Sequence, residues 1–177
     1  EENKHIKDFH LLSTKPMFYI ANINEDKNSL DHYLDLKRYA ESNNCMVIPA
    51  SIKIEEEISN LDNDEKLEYL HLMGLDEPVL NKIIFEGYNL LGLETFFTAG
   101  PNEIRAWTIK KKTLAPDAAA VIHTDFKRGF IKAEVIRFSD YIAHGGELKC
   151  KEKGKLRVEG KEYIIKDGDI VHFKFNI

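Results

Sequence analysis

Asn22-Ile23-Asn24-Glu25-Asp26 follows directly on a short apolar run, Pro16-Met17-Phe18-Tyr19-Ile20-Ala21. A run of that length without polar alternation fits a strand buried on both faces of a parallel sheet, and such sheets meet their ligands just beyond the carboxyl ends of the strands. The cluster therefore stands where carboxamides and carboxylates can hydrogen-bond a ligand. The alternative is a turn or helix cap, a common use of Asn and Asp after a strand. Phosphate chemistry would need Gly-x-x-x-x-Gly-Lys-Ser/Thr between a strand and a helix, so that backbone N–H groups cradle the phosphates. The nearest string, Gly154 to Glu162, has one residue too many between its glycines and Glu162 where the hydroxyl belongs, and it falls among turns. No catalytic residue is assigned.

His123 and Asp125 are spaced so that an imidazole and a carboxylate can meet. A proton-transfer pair also needs a nucleophile or a held water, and no reactive Ser or Cys stands near them, so the pair reads as structural or as part of a docking surface. His5, His10, His32, His71, His144 and His172 have no paired ligand spacing, and no metal site is assigned. Cys45 and Cys150 read as reduced thiols, too few and too far apart for a disulfide framework or a zinc cluster. Cations gather at Lys110-Lys111-Lys112, at Lys127, Arg128 and Lys132, and at Lys149, Lys151, Lys153, Lys155 and Arg157. Lys and Arg on phosphates give affinity without sequence information, which suits an RNA held by shape. The third grouping alternates with Glu147, Glu152 and Glu159 and reads more as solvated surface than as a phosphate stripe; the first two are less diluted. Trp107, Phe126, Phe130 and Phe138 are expected to pack in a core rather than to stack on bases.

These residues need elements to hold them. Ser29 to Ser42 has apolar positions at helical spacing with Ser29 as its expected N-cap, and Cys45-Met46-Val47-Ile48 reads as a second buried strand ending at Pro49. Strand, helix, strand implies a right-handed crossover in a parallel sheet. Helices are expected over 55–61, 62–72 and 78–91, with Asp62 and Pro78 at starting positions and Gly74 at a stop. After Gly92 the pattern changes to strands over 93–98, 103–109, 129–136 and 170–175. Short helices are expected between them over 117–122 and 139–144, the second with Ser139 as cap and Gly145-Gly146 as terminator. A small mixed sheet packed against a helix should result.

The 177 residues are 43% hydrophobic, enough for a core, and their net charge of −5 is unevenly spread. Residues 1–91 carry 9 Lys+Arg against 18 Asp+Glu, a balance of −9; residues 92–177 carry 16 against 12, a balance of +4. The carboxyl half is thus the one suited to a polyanion. No apolar run approaches the roughly 20 residues that cross a bilayer, and Glu1-Glu2-Asn3-Lys4 lacks the order of a signal peptide. A cytoplasmic location is expected.

The stretch Ala106-Trp107-Thr108-Ile109 through His123-Thr124-Asp125-Phe126-Lys127-Arg128-Gly129-Phe130-Ile131 is too specific in order and spacing to be generic core. With Ala133-Glu134-Val135-Ile136, Asp140-Tyr141-Ile142, Gly160 to Ile165, Lys166-Asp167-Gly168-Asp169 and the terminal Phe173 to Ile177, it resembles the carboxyl-terminal TGS domain of the YchF (Obg-like ATPase) family. The resemblance implies an α/β part followed by an α+β part. Residues 1–91 would be the carboxyl-terminal remnant of a P-loop NTPase parallel sheet of the Obg type, with helices leading out of it. Residues 92–177 would be a TGS domain, a ubiquitin-like β-grasp.

The resemblance also implies roles. Asn22 would contact a nucleotide base, Ile23 would pack near it, Glu25 would line the same corner, and Ala50 and Ser51 would belong to the loop closing over the base from the other side. P-loop GTPases carry Asn-Lys-x-Asp here, and the Asp accepts from two donors on the guanine edge; Ile23 and Glu25 replace the Lys and the Asp, which implies ATP in preference to GTP. The implied cofactors of an intact protein are ATP and Mg2+, with none held tightly by this segment, which lacks a phosphate loop and should turn nothing over alone. The implied partners are the ribosome, through its large subunit, and ribosomal RNA, with Lys110, Lys111, Lys112, His123, Lys127, Arg128 and Lys132 as docking residues. Neither a membrane nor a DNA sequence is implied. A second reading is a stand-alone RNA- or ribosome-binding module without nucleotide function. A third is self-association through exposed sheet edges, in which case a dimer would be an artefact of truncation.

Overall fold

The structure, a computed structural model, describes residues 9, 11–24, 27–100 and 103–176. It divides into two compact units, Glu1–Leu91 and Gly92–Ile177.

In the first unit, β1 (Tyr19–Asn22) and β2 (Val47–Ala50) pair in parallel, in register from Tyr19 opposite Val47 to Asn22 opposite Ala50. Helix α1 (Lys27–Ser42) makes the crossover that a parallel pair requires. Ser29 is not its cap: the helix begins at Lys27, and the Ser29 hydroxyl accepts the Asn24 N–H at 2.8 Å from within the first turn. β2 runs through Pro49 instead of ending there. Tyr19 N–H donates to Met46 O and Ile23 N–H to Ala50 O, so the even-numbered residues of β2 face β1. Pro49 faces away and has no N–H to lose.

Helix α2 (Ile52–Ser59) starts earlier than its apolar spacing suggested because Ser51 caps it, accepting the Ile54 N–H at 3.5 Å. Helix α3 (Asn63–Leu72) opens on a capping box: Asp62 accepts from the Asp64 and Glu65 N–H groups, and Glu65 accepts from the Asp62 N–H. Gly74, at φ +67°, lets the chain leave α3 in the left-handed region. Helix α4 (Val79–Leu91) takes its amino-terminal partner from a distance, with the Glu55 carboxylate accepting the Val79 N–H at 2.7 Å and the Leu80 N–H at 3.3 Å.

The second unit is a five-stranded mixed sheet in the order β4-β3-β7-β5-β6, built from β3 (Leu93–Ala99), β4 (Ile104–Lys110), β5 (Phe130–Arg137), β6 (Arg157–Glu159) and β7 (Asp169–Phe175). β3 and β7, the first and last strands, are parallel neighbours; the other pairs are antiparallel. One face buries Phe96, Ile109, Ala133, Val135, Val171 and Phe173 against α5 (Ala115–Ile122), whose Ala115, Ala118 and Ala119 are fully buried and allow close approach. Helix α5 begins two residues ahead of Asp117, since Pro116 is tolerated in a first turn.

Helix α7 (Phe138–His144) ends on Gly145 at φ +74°, but its flanking residue is Arg137 and Ser139 lies inside it. Two short helices, α6 (Thr124–Arg128) and α8 (Glu147–Glu152), and the strand β6 were not expected from the sequence. Each has six residues or fewer and is rich in charge, so it shows neither helical nor alternating periodicity.

Candidate functional site

At the carboxyl ends of β1 and β2 the two exit loops are tied together. Asn22 Oδ1 accepts the Ile52 N–H at 3.3 Å, and Ile23 N–H donates to Ala50 O at 2.9 Å. Asn22 is exposed, Ile23 and Ser51 are half-buried and Ala50 is buried, so polar and apolar surface meet in one corner. Beside it lies a cavity of about 270 Å³ bounded by Asn24, Ser51, Ile54, Glu57, Tyr69 and Met73, with the Tyr69 hydroxyl bonded to the Glu57 carboxylate. Asn22, Ile23, Ala50 and Ser51 are thus brought together; Glu25 lies outside the described residues. The donor set suits a heteroaromatic base: the Asn22 amide nitrogen has no hydrogen bond among the described residues, and the Ile23 side chain offers an apolar flank.

The basic residues of the second unit are not brought together. Lys110 lies opposite Leu93, Phe97 lies opposite Ile170, and Phe175 lies opposite Phe130. Along the sheet, Lys110 to Lys112 are therefore separated from α6 by about nine strand residues, on the order of 30 Å at about 3.3 Å each. Lys127 is paired with Asp117, and Lys132 lies 3.5 Å from Glu134. His123 caps α6: its Nδ1 accepts the Asp125 N–H at 3.3 Å and stands 3.5 Å from the Asp125 carboxylate. In the third grouping Lys155 pairs with Asp140 at 3.2 Å and Arg157 with Glu159 at 2.8 Å.

Three of the four aromatics belong to the core. Phe130 is buried, Trp107 and Phe126 pack against the cluster, and Trp107 Nε1 donates to Thr98 Oγ1 at 2.9 Å. Phe138 departs from that expectation, being 51% exposed. It faces a cleft of about 530 Å³ with Phe97, Arg137, Lys166 and Asp167.

The loop forming one wall of that cleft is anchored by Asp169, a charged residue only 2% exposed. Asp169 Oδ2 accepts the Tyr163 hydroxyl at 2.7 Å and the Lys166 N–H at 3.0 Å, and Oδ1 lies 3.6 Å from Arg157 Nη2. Burial and this hydrogen bond to Asp169 push the Tyr163 hydroxyl up to about 12. The sequence reading did not single out this network, though an Asp at the head of an apolar strand is a signal that could have exposed it.

On the opposite face of the sheet from the core, the ligand atoms of Glu134, Glu147 and His172 come within 4.8 Å of one another. Lys174 Nζ is 3.4 Å from Glu134 and 3.4 Å from His172, so this position already has a cation. Burial works against ionisation of Glu134, but Lys174 and Lys132 outweigh it and hold the carboxyl below its usual range.

The family model YchF-GTPase_C, described as a protein of unknown function (DUF933), matches residues 93–176. The ribosome-binding ATPase YchF of Pasteurella multocida is 51% identical over 178 residues, spanning 100% of this chain and 49% of the relative. Obg-like ATPase 1 of Xenopus laevis is 40% identical, spanning 99% and 49%. The solved structure of the Schizosaccharomyces pombe YchF GTPase superposes with a TM-score of 0.79 at 37% identity, over 97% of this chain and 46% of that one. The chain belongs to the YchF family and matches its carboxyl-terminal part.

The chain spans about half the length of the curated relatives it matches. The YchF model falls on the second unit, which carries the Asp169 network and the cleft; the Asn22 corner lies in the first unit, within the span shared with the full-length YchF relatives. Among the described residues no helix is long and apolar enough to cross a membrane.

Proposed function

We propose that this chain supplies the base-reading corner and the docking domain of a ribosome-associated ATPase of the YchF type. The observation that carries the reading is the Asn22 to Ile52 link, which holds two strand exits side by side at the carboxyl edge of a parallel pair, where α/β sheets bind ligands. In this reading residues 1–91 are the end of an Obg-type nucleotide domain, with Asn22, Ile23, Glu25, Ala50 and Ser51 around the base. A preference for ATP over GTP is supported by the sequence, in which Glu25 takes the place of the shorter carboxylate that accepts guanine's two donors in Asn-Lys-x-Asp. When bound, ATP and Mg2+ would supply the phosphoryl group and its charge neutralisation; Asn22, Ile23, Ala50 and Ser51 would orient the base. Phosphate contacts and turnover belong to other parts of the intact protein.

The second unit is read as a TGS domain of β-grasp type. The parallel pairing of its first and last strands, with one helix across the core face, supports that assignment. Its positive balance supports docking on ribosomal RNA of the large subunit, in the cytoplasm. A stand-alone docking module is the second reading, favoured by the same charge asymmetry.

Calorimetric titration of ATP and GTP into this chain, its Asn22→Ala variant and a full-length family member tests the corner. Weak ATP binding that exceeds GTP binding and is lost in Asn22→Ala is expected. Equal binding of both nucleotides, or indifference to Asn22→Ala, would refute it. Ribosome pelleting at graded salt tests docking independently, and association that does not weaken with salt would refute the RNA reading.

A further inference from the structure

We infer that the cleft between α7 and the Lys166–Asp169 loop binds one unstacked nucleotide of single-stranded RNA, with Phe138 as the stacking surface and Arg137 and Lys166 on the flanking phosphates. The inference rests on the docking reading and specifies its contact. The cleft, at about 530 Å³, has the size of small-ligand sites and is wide enough for a single base with its sugar. Its floor is aromatic, with Phe97 and Phe138 6.0 Å apart and tilted by 36°, and half of Phe138 remains open to a partner.

The charges around the cleft are asymmetric in what they have left to give. Asp167 Oδ1 accepts the Thr95 N–H at 2.8 Å, and Asp169 is occupied by Tyr163, the Lys166 N–H and Arg157. Arg137 and Lys166, both exposed, form no ion pair among the described residues. The acidic groups thus build the cleft and the cations face outward. The cleft is also preformed: Gly168 N–H donates to Thr95 O at 2.8 Å and Phe138 N–H to Gly168 O at 3.2 Å, clamping the loop between β3 and α7. The Lys110 to Lys112 turn sits at this same end of the sheet, since Lys110 is opposite Leu93 and Thr95 holds the loop. A strand of RNA leaving the cleft along that end would keep meeting cations. An aromatic face beside a basic track is how single strands are held without sequence preference, and a duplex, whose bases are stacked, could not use it.

The test is fluorescence anisotropy of the 177-residue chain with fluorescein-labelled oligouridylate, competed by unlabelled oligouridylate, duplex RNA or uridine monophosphate. Only the unlabelled single strand should compete well. Phe138→Ala should weaken binding about tenfold while Phe138→Tyr retains it. Lys166→Ala and Arg137→Ala should each flatten the salt dependence by about 0.7 in log–log slope. Thermal melting identifies any variant that fails to fold, and Lys166→Ala, a change at an exposed side chain, then carries the test. Undiminished binding by Phe138→Ala, or equal competition by duplex, would overturn the proposal. Competition by the monophosphate as strong as by the oligomer would overturn it in favour of a free-nucleotide site. If ribosomes pellet the chain while oligouridylate does not bind, docking stands and the cleft assignment fails; if ribosomes do not bind it at all, the docking reading itself falls.

Discussion

Replacing Asp169 by alanine should unfold the second unit at a markedly lower temperature while leaving the first unit's transition in place. Two donors, the Tyr163 hydroxyl at 2.7 Å and the Lys166 N–H at 3.0 Å, would lose an ionised acceptor at a position only 2% exposed. Hydrogen bonds to charged groups contribute about 1.5–3 kcal/mol each. Tyr163 is only half-buried, so water recovers part of the loss, and the lower end of the range for both bonds gives about 3 kcal/mol. For a unit of this size each kcal/mol moves the midpoint by about 4–8 °C, so the expected fall is about 12–24 °C.

Scanning calorimetry reads this directly, and a fall below about 4 °C would refute the view that Asp169 organises the loop. The same network has an alkaline signature. Tyr163 titrates near 10 when unfolded and about 12 when folded, so its contribution is complete below pH 10 and is lost as pH rises through 12. Tyr163→Phe should be less stable at neutral pH and should lack that alkaline loss; an unchanged alkaline limb would count against the hydroxyl–carboxylate bond.

Two further outcomes follow from local geometry. Gly129→Ala should destabilise the second unit by about 1–3 kcal/mol, because an added Cβ would fall 2.0 Å from the Asn176 carbonyl oxygen, a backbone atom. A melting temperature equal to that of the parent would show that the end of the chain yields without cost. Glu134, held below its usual range, contributes stability that is present above its unfolded value and lost as pH falls through its folded one, so Glu134→Gln should flatten the acid limb of a stability–pH curve.

The parts of the fold carried by periodicity were legible. The two short parallel strands, the helical series ending at Leu91 and the four longer strands of the second unit each have enough residues for a pattern to emerge, with errors of a few residues at their ends; β1, expected to be buried on both faces, buries Ala21 but leaves Ile20 exposed, because helix and sheet cover it on one side only among the described residues. Those errors have causes: Ser51 rather than apolar spacing starts α2, Pro49 survives in β2 by facing away from β1, and Ser29 turns back to Asn24. The corner at Asn22 was legible because it depends on two strand exits. The cleft was not, since it is assembled from β3, the start of α7 and the loop before β7, which only the register brings together. Phe138 was read as core because an aromatic beside a strand usually is; its position one residue past the end of β5, on α7, turns it outward.

The parallel pairing of β3 with β7 has a consequence for the order of synthesis. Phe97 waits for Ile170, so the centre of the sheet stays open through nearly the whole translation of the unit. Its core then closes in one late step, after a long loop closure. Until then the hairpin of β3 and β4 presents an apolar face and an unpaired edge in the crowded vestibule of the ribosome that is making it. Removing the last seven strand residues would delete the central strand of this unit, not trim a tail.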